Sequence, residues 1–201
     1  MRILIIAPFI PYPIISADAV RLYNLLKYIT KDHEVWLACL LDKSTGVVDG
    51  VPHLREMCAG VEVAFTERRS RLMRIPGLLQ YCLEGKPPEL KFYESKEFIH
   101  KIQQLASTVD FDIIQIEHSC MGLYSELFPA EETIKRILVI HNVSSQQMAR
   151  IARVDRGRGQ SLRTRFYSWT MSHWEPRYAE RFDCCITVSE PNRQLLLAAN
   201  P

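Results

Sequence analysis

Glycine is scarce: the chain has eight in 201 residues and none before Gly46. That excludes the glycine-rich turn of a dinucleotide-binding fold, in which bare backbone closes tightly on a pyrophosphate. Also absent is any apolar run approaching the roughly 20 residues needed to cross a membrane. The apolar start, residues 1–8, is short and runs into prolines. It reads as a buried strand rather than an export signal, and the expectation is a cytoplasmic protein. The six cysteines (Cys39, Cys58, Cys82, Cys120, Cys184 and Cys185) show no repeated C-x-x-C spacing. They fit neither a disulfide framework nor a zinc pattern and read as reduced core residues. Neither sign of charge prevails, with 25 basic against 23 acidic residues and a formal net charge of +2, so nucleic acid is not an expected partner.

What the chain does have is an ordered alternation of strand and helix signals. Residues 2–7 form an apolar strand, residues 8–18 a loop broken by Pro8, Pro11 and Pro13, and then Val20, Leu22, Tyr23, Leu25, Leu26 and Ile29 recur at helical spacing. Ser16 or Asp18 is available to cap that helix. Further short apolar runs at 34–41, 61–65, 112–117, 136–140 and 184–188 read as strands. Ser95 opens a second strongly patterned helix carrying Phe98, Ile99, Ile102, Leu105, Ala106 and Val109. Six near-continuously apolar strands separated by helices predict a single α/β domain, a doubly wound parallel sheet of Rossmann-like type buried on both faces. In the usual order 3-2-1-4-5-6 the crevice opens outside the carboxyl ends of strands one and four.

That geometry selects residues. The loop 8–18 lies on one side of the crevice and Glu117-His118 on the other, while His141-Asn142 and Ser189-Glu190 end strands five and six. A carboxylate beside an imidazole can orient or deprotonate a hydroxyl. Adjacent strand residues point to opposite faces, however, so only one of Glu117 and His118 is expected to line the crevice. Asn142, Ser144 or Ser145 serves either as a ligand contact or as the cap of a helix carrying Met148, Ile151 and Ala152. Asp110-Phe111-Asp112 has the Asp-x-Asp form of a divalent-metal site, but it precedes strand four and so lies at the opposite end of the sheet. No metal is expected.

Two basic segments each admit two readings. Arg68, Arg69, Arg71 and Arg74 interleave with Leu72, Met73, Ile75, Leu78 and Leu79. They fit either an anionic membrane surface or the solvated face of a helix. Arg150, Arg153, Arg156, Arg158, Arg163 and Arg165 surround Gly157 and Gly159, a basic loop suited to a phosphate group or simply to solvent.

Taken in order, several of these segments resemble the amino-terminal domain of family-four, group-one glycosyltransferases of the GT-B fold. The likeness runs through Met1-Arg2-Ile3-Leu4, Pro11-Tyr12-Pro13, Arg21-Leu22-Tyr23-Asn24-Leu25-Leu26 and His33-Glu34-Val35. It continues through Phe111-Asp112-Ile113-Ile114-Gln115-Ile116-Glu117, His141-Asn142-Val143, Trp174-Glu175, Phe182-Asp183 and Ile186-Thr187-Val188-Ser189-Glu190. The resemblance implies two facing Rossmann-like domains, the first binding a saccharide or lipid-linked acceptor and the second a nucleotide sugar. Transfer of the hexosyl group proceeds with retention, without metal or other cofactor, as in polysaccharide biosynthesis. The chain would supply the first half, with residues 193–199 as its last helix, and be inactive alone. It also implies a catalytic place for Glu117 or His118 and substrate contacts from Ser16, Ala17, Asp18, Arg21, His141, Asn142, Ser189 and Glu190.

The sequence departs from the family at three points. Relatives often carry Gly-Gly where this chain has Ala17-Asp18, and a carboxylate there repels a donor phosphate by on the order of 1 kcal/mol. A histidine that relatives place after strand four falls one position later, as His118. Pro176 follows Trp174-Glu175 and should kink or restart its helix. The rival readings are a non-catalytic binding or regulatory module on the same fold and half of a sugar-nucleotide epimerase. An apolar first loop (Phe9, Ile10, Tyr12, Ile14, Ile15) left uncovered would favour a weak homodimer, and the Arg68–Arg74 segment would favour peripheral contact with the inner membrane face.

Overall fold

A computed structural model of the chain describes residues 1–43, 49–66, 80–128, 133–143 and 158–199. Six strands, β1 (Arg2–Ala7), β2 (Glu34–Leu41), β3 (Gly60–Phe65), β4 (Ile113–Glu117), β5 (Lys135–Ile140) and β6 (Cys184–Thr187), form one sheet in the order β3-β2-β1-β4-β5-β6. All five pairings are parallel. The fold is therefore the expected α/β, Rossmann-like arrangement, with the reversal of strand order between β1 and β4. In register, Ile3 and Ile6 of β1 stand beside Ile113 and Ile116 of β4, so the two strands end together at one edge.

The alternation of side chains along each strand divides the core in two. Leu4, Ile6, Ala38, Leu40, Ile114, Ile116, Leu138 and Ile140 face one side. They are covered by Phe98 and Ile102 of α3 (Lys96–Thr108), by Met121 and Tyr124 of a 3-10 helix (Ser119–Leu127), and by Tyr178 of α4 (Arg158–Ala179). Ile3, Ile5, Ala7, Val35, Leu37, Cys39 and Leu41 face the other, covered by Leu22 and Leu26 of α1 (Ala17–Ile29) and Leu54 of α2 (Val51–Met57). Each fully buried Leu or Ile contributes about 1.5–3 kcal/mol relative to exposure. α5 (Glu190–Ala199) follows β6. Gly122 lets α4 approach: a Cβ there would stand 2.2 Å from the ring of Tyr178. Ser119 Oγ donates to Glu175 Oε1 of α4 at 2.5 Å in the same contact.

Several expectations need correction. Burial on both faces fails at β6, which pairs only with β5 and leaves Cys184, Cys185 and Ile186 exposed. Edge position alone is not the cause, since β3 at the other edge buries Val61 and Ala64; the side chains of β6 stay exposed because little among the described residues packs on its faces. Cys82 is exposed as well, so of the six cysteines only Cys39 and Cys58 are buried core residues, Cys120 being partly covered. Val20 lies off the buried stripe of α1 and is exposed. Of the two outcomes expected at Pro176, a restart does not occur, since its helix runs on to Ala179; near a carboxyl end the ring forfeits the bond to the carbonyl of Ser172. In the first loop Ile10 is buried and Phe9 and Tyr12 pack on the core, leaving Ile14 and Ile15 as the exposed pair.

Candidate functional site

The loop after β1 turns into α1 at Ser16, whose Oγ accepts from the amide of Ala19 at 3.1 Å with extended backbone at the cap. This fixes the first turn, and with it Asp18 and Arg21, three residues apart and so on one face of the helix. On β4, Gln115 and Glu117 lie two residues apart and share a face. β5 ends at Ile140 and delivers His141 to the same edge.

These four elements meet at the crossover. Glu117 is fully buried. Arg21 donates from one guanidinium nitrogen to both of its oxygens at 3.1 Å, Gln115 Nε2 donates to Oε1 at 2.6 Å, and His141 Nε2 stands 2.5 Å from Oε2. The other nitrogen of His141, Nδ1, is 2.8 Å from Asp18 Oδ1. Asp18 Oδ2 is 3.4 Å from His118 Nε2. The result is a continuous polar chain, Glu117–His141–Asp18–His118, running from a buried end to one where Asp18 and His118 keep 35% and 25% of their side-chain exposure. The rings of His118 and His141 stack at 4.3 Å, and Phe9 stands edge-on to both.

With a carboxylate at each nitrogen, His141 can donate to both only as an imidazolium. Burial pushes the Glu117 carboxyl up, but the His141 hydrogen bond, the Arg21 and His141 charges and the Gln115 amide outweigh it and hold the group below the usual carboxylate range. For His118, burial and then the neighbouring His141 charge push the imidazole below its ordinary value against the pull of Asp18 and Glu117. A neutral His118 held by Asp18 keeps a lone pair, which is what a general base requires.

Glu117 is fully buried and His118 keeps 25% of its side-chain exposure, yet both join the chain. His118 lies beyond β4 with φ 70° and ψ 139°, a conformation rare outside glycine, and this turn swings the ring toward the face occupied by Glu117. Backbone in such regions costs on the order of 1–3 kcal/mol and persists where its surroundings over-determine it. Among the other sequence candidates, Ser16 caps α1 and Ala17 opens it, exposed. Asn142 is exposed beside His141. Ser189 and Glu190 bond within their own helix, Ser189 Oγ accepting from the amide of Asn192 and Glu190 Oε1 from Arg193 and Gln194. Two participants were missed. Gln115 was findable from its i, i+2 relation to Glu117; Asn192, whose Nδ2 donates to the carbonyl of His141 at 3.1 Å, carries no local signal.

The absence of metal-ligand spacing in the sequence does not carry over to space. One ligating atom from each of Asp18, His118 and His141 lies within 4.8 Å of the others. Asp110 and Asp112 sit at the opposite edge, as expected, engaged by the side chain and the backbone amide of Arg2. That edge also holds an open recess of about 480 Å3 lined by Met1, Arg2, Lys31, His33 and Asp112 among others. The segments carrying Arg68, Arg69, Arg71 and Arg74, and Ser144, Ser145, Met148, Arg150, Ile151, Ala152, Arg153 and Arg156, lie outside the described residues. Among the described residues no helix is long and apolar enough to cross a membrane.

No protein-family model matches the chain, and no curated protein does. Among solved structures, the N-terminal domain of trehalose-6-phosphate phosphatase from Candida albicans aligns over 98% of this chain at 14% identity with a TM-score of 0.43. The chain spans 42% of that structure's length. At this TM-score and identity the likeness bears on no question of function.

Proposed function

We propose that the chain is the acceptor-side half of a retaining GT-B glycosyltransferase, moving a hexosyl group from a nucleotide sugar to a saccharide or lipid-linked acceptor. The observation that carries this reading is the Glu117–His141–Asp18–His118 chain at the β1/β4 crossover, together with the ordered sequence resemblance. Glycosyl transfer to a hydroxyl needs a group that takes the acceptor proton as the bond forms. His118, neutral and oriented by Asp18, is suited to that role, while Glu117 and Arg21 hold His141 and through it Asp18. Stabilisation of the leaving phosphate falls to a second domain, so the chain by itself is expected to neither transfer nor hydrolyse. Ser16, Ala17, Asn142, Ser189 and Glu190 border the acceptor position. The protein works in the cytoplasm, with the Arg68–Arg74 segment resting on the inner membrane face, and uses neither nucleic acid nor organic cofactor.

A second reading, a non-catalytic binding module, is favoured by Asp18, since a carboxylate tied to His141 at 2.8 Å stands in the first turn of α1, where the family that the sequence resembles often carries Gly-Gly for a phosphate. Calorimetry of the chain with uridine, guanosine and adenosine diphosphate sugars, beside a panel of saccharides and polyprenyl-phosphate sugars, separates the outcomes. The glycosyltransferase reading expects acceptor-type ligands to bind and nucleotide sugars to bind weakly. Sub-micromolar binding of a nucleotide sugar would place the donor site in this half and contradict it.

A further inference from the structure

We infer that Asp18, His118 and His141 form an open binding site for a divalent transition-metal ion of the zinc class. An ion held here takes His118 and Asp18 as ligands, so its uptake would replace the acceptor-base role given to them above, whereas its failure would leave the glycosyltransferase reading untouched. Two imidazoles and one carboxylate are a donor set that suits zinc, cobalt, nickel or iron rather than magnesium or calcium, which prefer oxygen alone. The three residues come from α1, the end of β4 and the end of β5, so the sheet itself assembles them.

The surroundings match what a metal-bound histidine ordinarily has. Such a histidine hands its second nitrogen to a carboxylate, which fixes the ring and raises its basicity. Here His141 Nε2 meets the buried Glu117 at 2.5 Å, and Glu117 is itself held by Arg21 and Gln115. That leaves Nδ1 directed at Asp18. A ligating His141 is neutral, and the carboxylates of Asp18 and Glu117 then face the single guanidinium of Arg21, so the ion takes over the charge that a proton on His141 would otherwise supply.

Ligands of one ion lie about 2.0–2.2 Å from it, so pairs of ligating atoms stand no more than about 4 Å apart. The Asp18 contacts at 2.8 and 3.4 Å already meet this. The two rings, stacked at 4.3 Å with 12° between planes, do not share an in-plane point, so His118 must turn to reach the ion. Its side chain is 25% exposed and lies past the end of the strand, which leaves room for that movement. The exposed side of Asp18 leaves a further position for water or a substrate hydroxyl, as in sites that keep one coordination place open.

The test is titration of zinc chloride into the chelator-treated full chain at neutral pH, with cobalt absorption as a spectroscopic readout of imidazole coordination. The expected result is one ion per chain with a micromolar or tighter dissociation constant. Asp18→Asn and His118→Gln each weaken uptake at least tenfold, and Glu117→Gln weakens it about 10–100-fold. His173→Gln and the Cys184→Ser, Cys185→Ser pair leave it unchanged. Melting curves identify any variant that fails to fold, and Asp18→Asn, which changes charge and not shape, then carries the comparison. Uptake only at millimolar zinc, or uptake that follows the cysteines and ignores Asp18→Asn, overturns the site. So does detection of protons on both nitrogens of His141 with zinc in excess, since the place is then a proton's.

Discussion

Glu117 illustrates how a buried charge is kept. Left alone at full burial the carboxylate would neutralise, but three partners converge on it and hold it ionised. Removing one partner of such an arrangement ordinarily costs about 3–5 kcal/mol, because the remaining charge stays buried. Because the folded-state pKa is depressed, the carboxylate's contribution is present above the unfolded value of about 4.3 and is lost as pH falls through the folded one. Glu117→Gln should therefore be less stable than the parent at pH 7 by about 2 kcal/mol or more. The gap should close as pH drops below about 4. Denaturant unfolding of both proteins across that range checks this, and a gap that stays constant or widens in acid would mean that Glu117 is not held as a carboxylate. Single residues of the cluster were legible: Asp18, Arg21, Glu117, His118 and His141 all stand where strand ends and a helix start put them. Their bonds to one another were not, since Arg21 and Glu117 are 96 positions apart and nothing local ties a helix residue to one strand end rather than another.

At the scale of elements, the parallel sheet was legible because each buried strand is a short apolar run with polar borders, and the strand order followed from a general rule of connection. β6 shows the limit of the same argument: Cys184-Cys185-Ile186 reads as core, yet it stays exposed, while β3 at the opposite edge buries Val61 and Ala64. α2, with seven residues and no side-chain cap, is too short to show a period, and the 3-10 helix after His118 repeats every three residues and escapes a search at 3.6. The first loop is positioned by a contact no pattern announces. A Cβ on Gly50 would stand 1.8 Å from the carbonyl oxygen of Tyr12, so the start of α2 and the loop that leads to Asp18 touch through backbone. Gly50→Ala forces one of them to move and should cost about 1–3 kcal/mol. A thermal melt reads this directly; an unchanged midpoint would mean the loop is free to shift and does not brace the site.

For the whole molecule, an apolar lip remains beside the crevice: Ile14 and Ile15 are 44% and 77% exposed. A second copy seated there would give a weak, concentration-dependent dimer. Replacing both with serine should abolish association in sedimentation velocity while changing stability by no more than about 0.5 kcal/mol, since neither belongs to the core. An unfolded double variant would show instead that the two side chains are structural.

The central claim is that ligands meet this molecule at the β1/β4 crossover, and its six histidines (His33, His53, His100, His118, His141 and His173) are spread so as to report on it. His118 and His141 belong to the cluster, whereas His33 lines the recess at the opposite edge. Titrating histidine-labelled protein with saccharide and lipid-linked acceptors and following the ring nitrogen resonances is the most direct measurement. The account predicts saturable shifts at His118 and His141 with His33, His100 and His173 unmoved. Shifts confined to His33 would put the binding site at the wrong end of the sheet and contradict it.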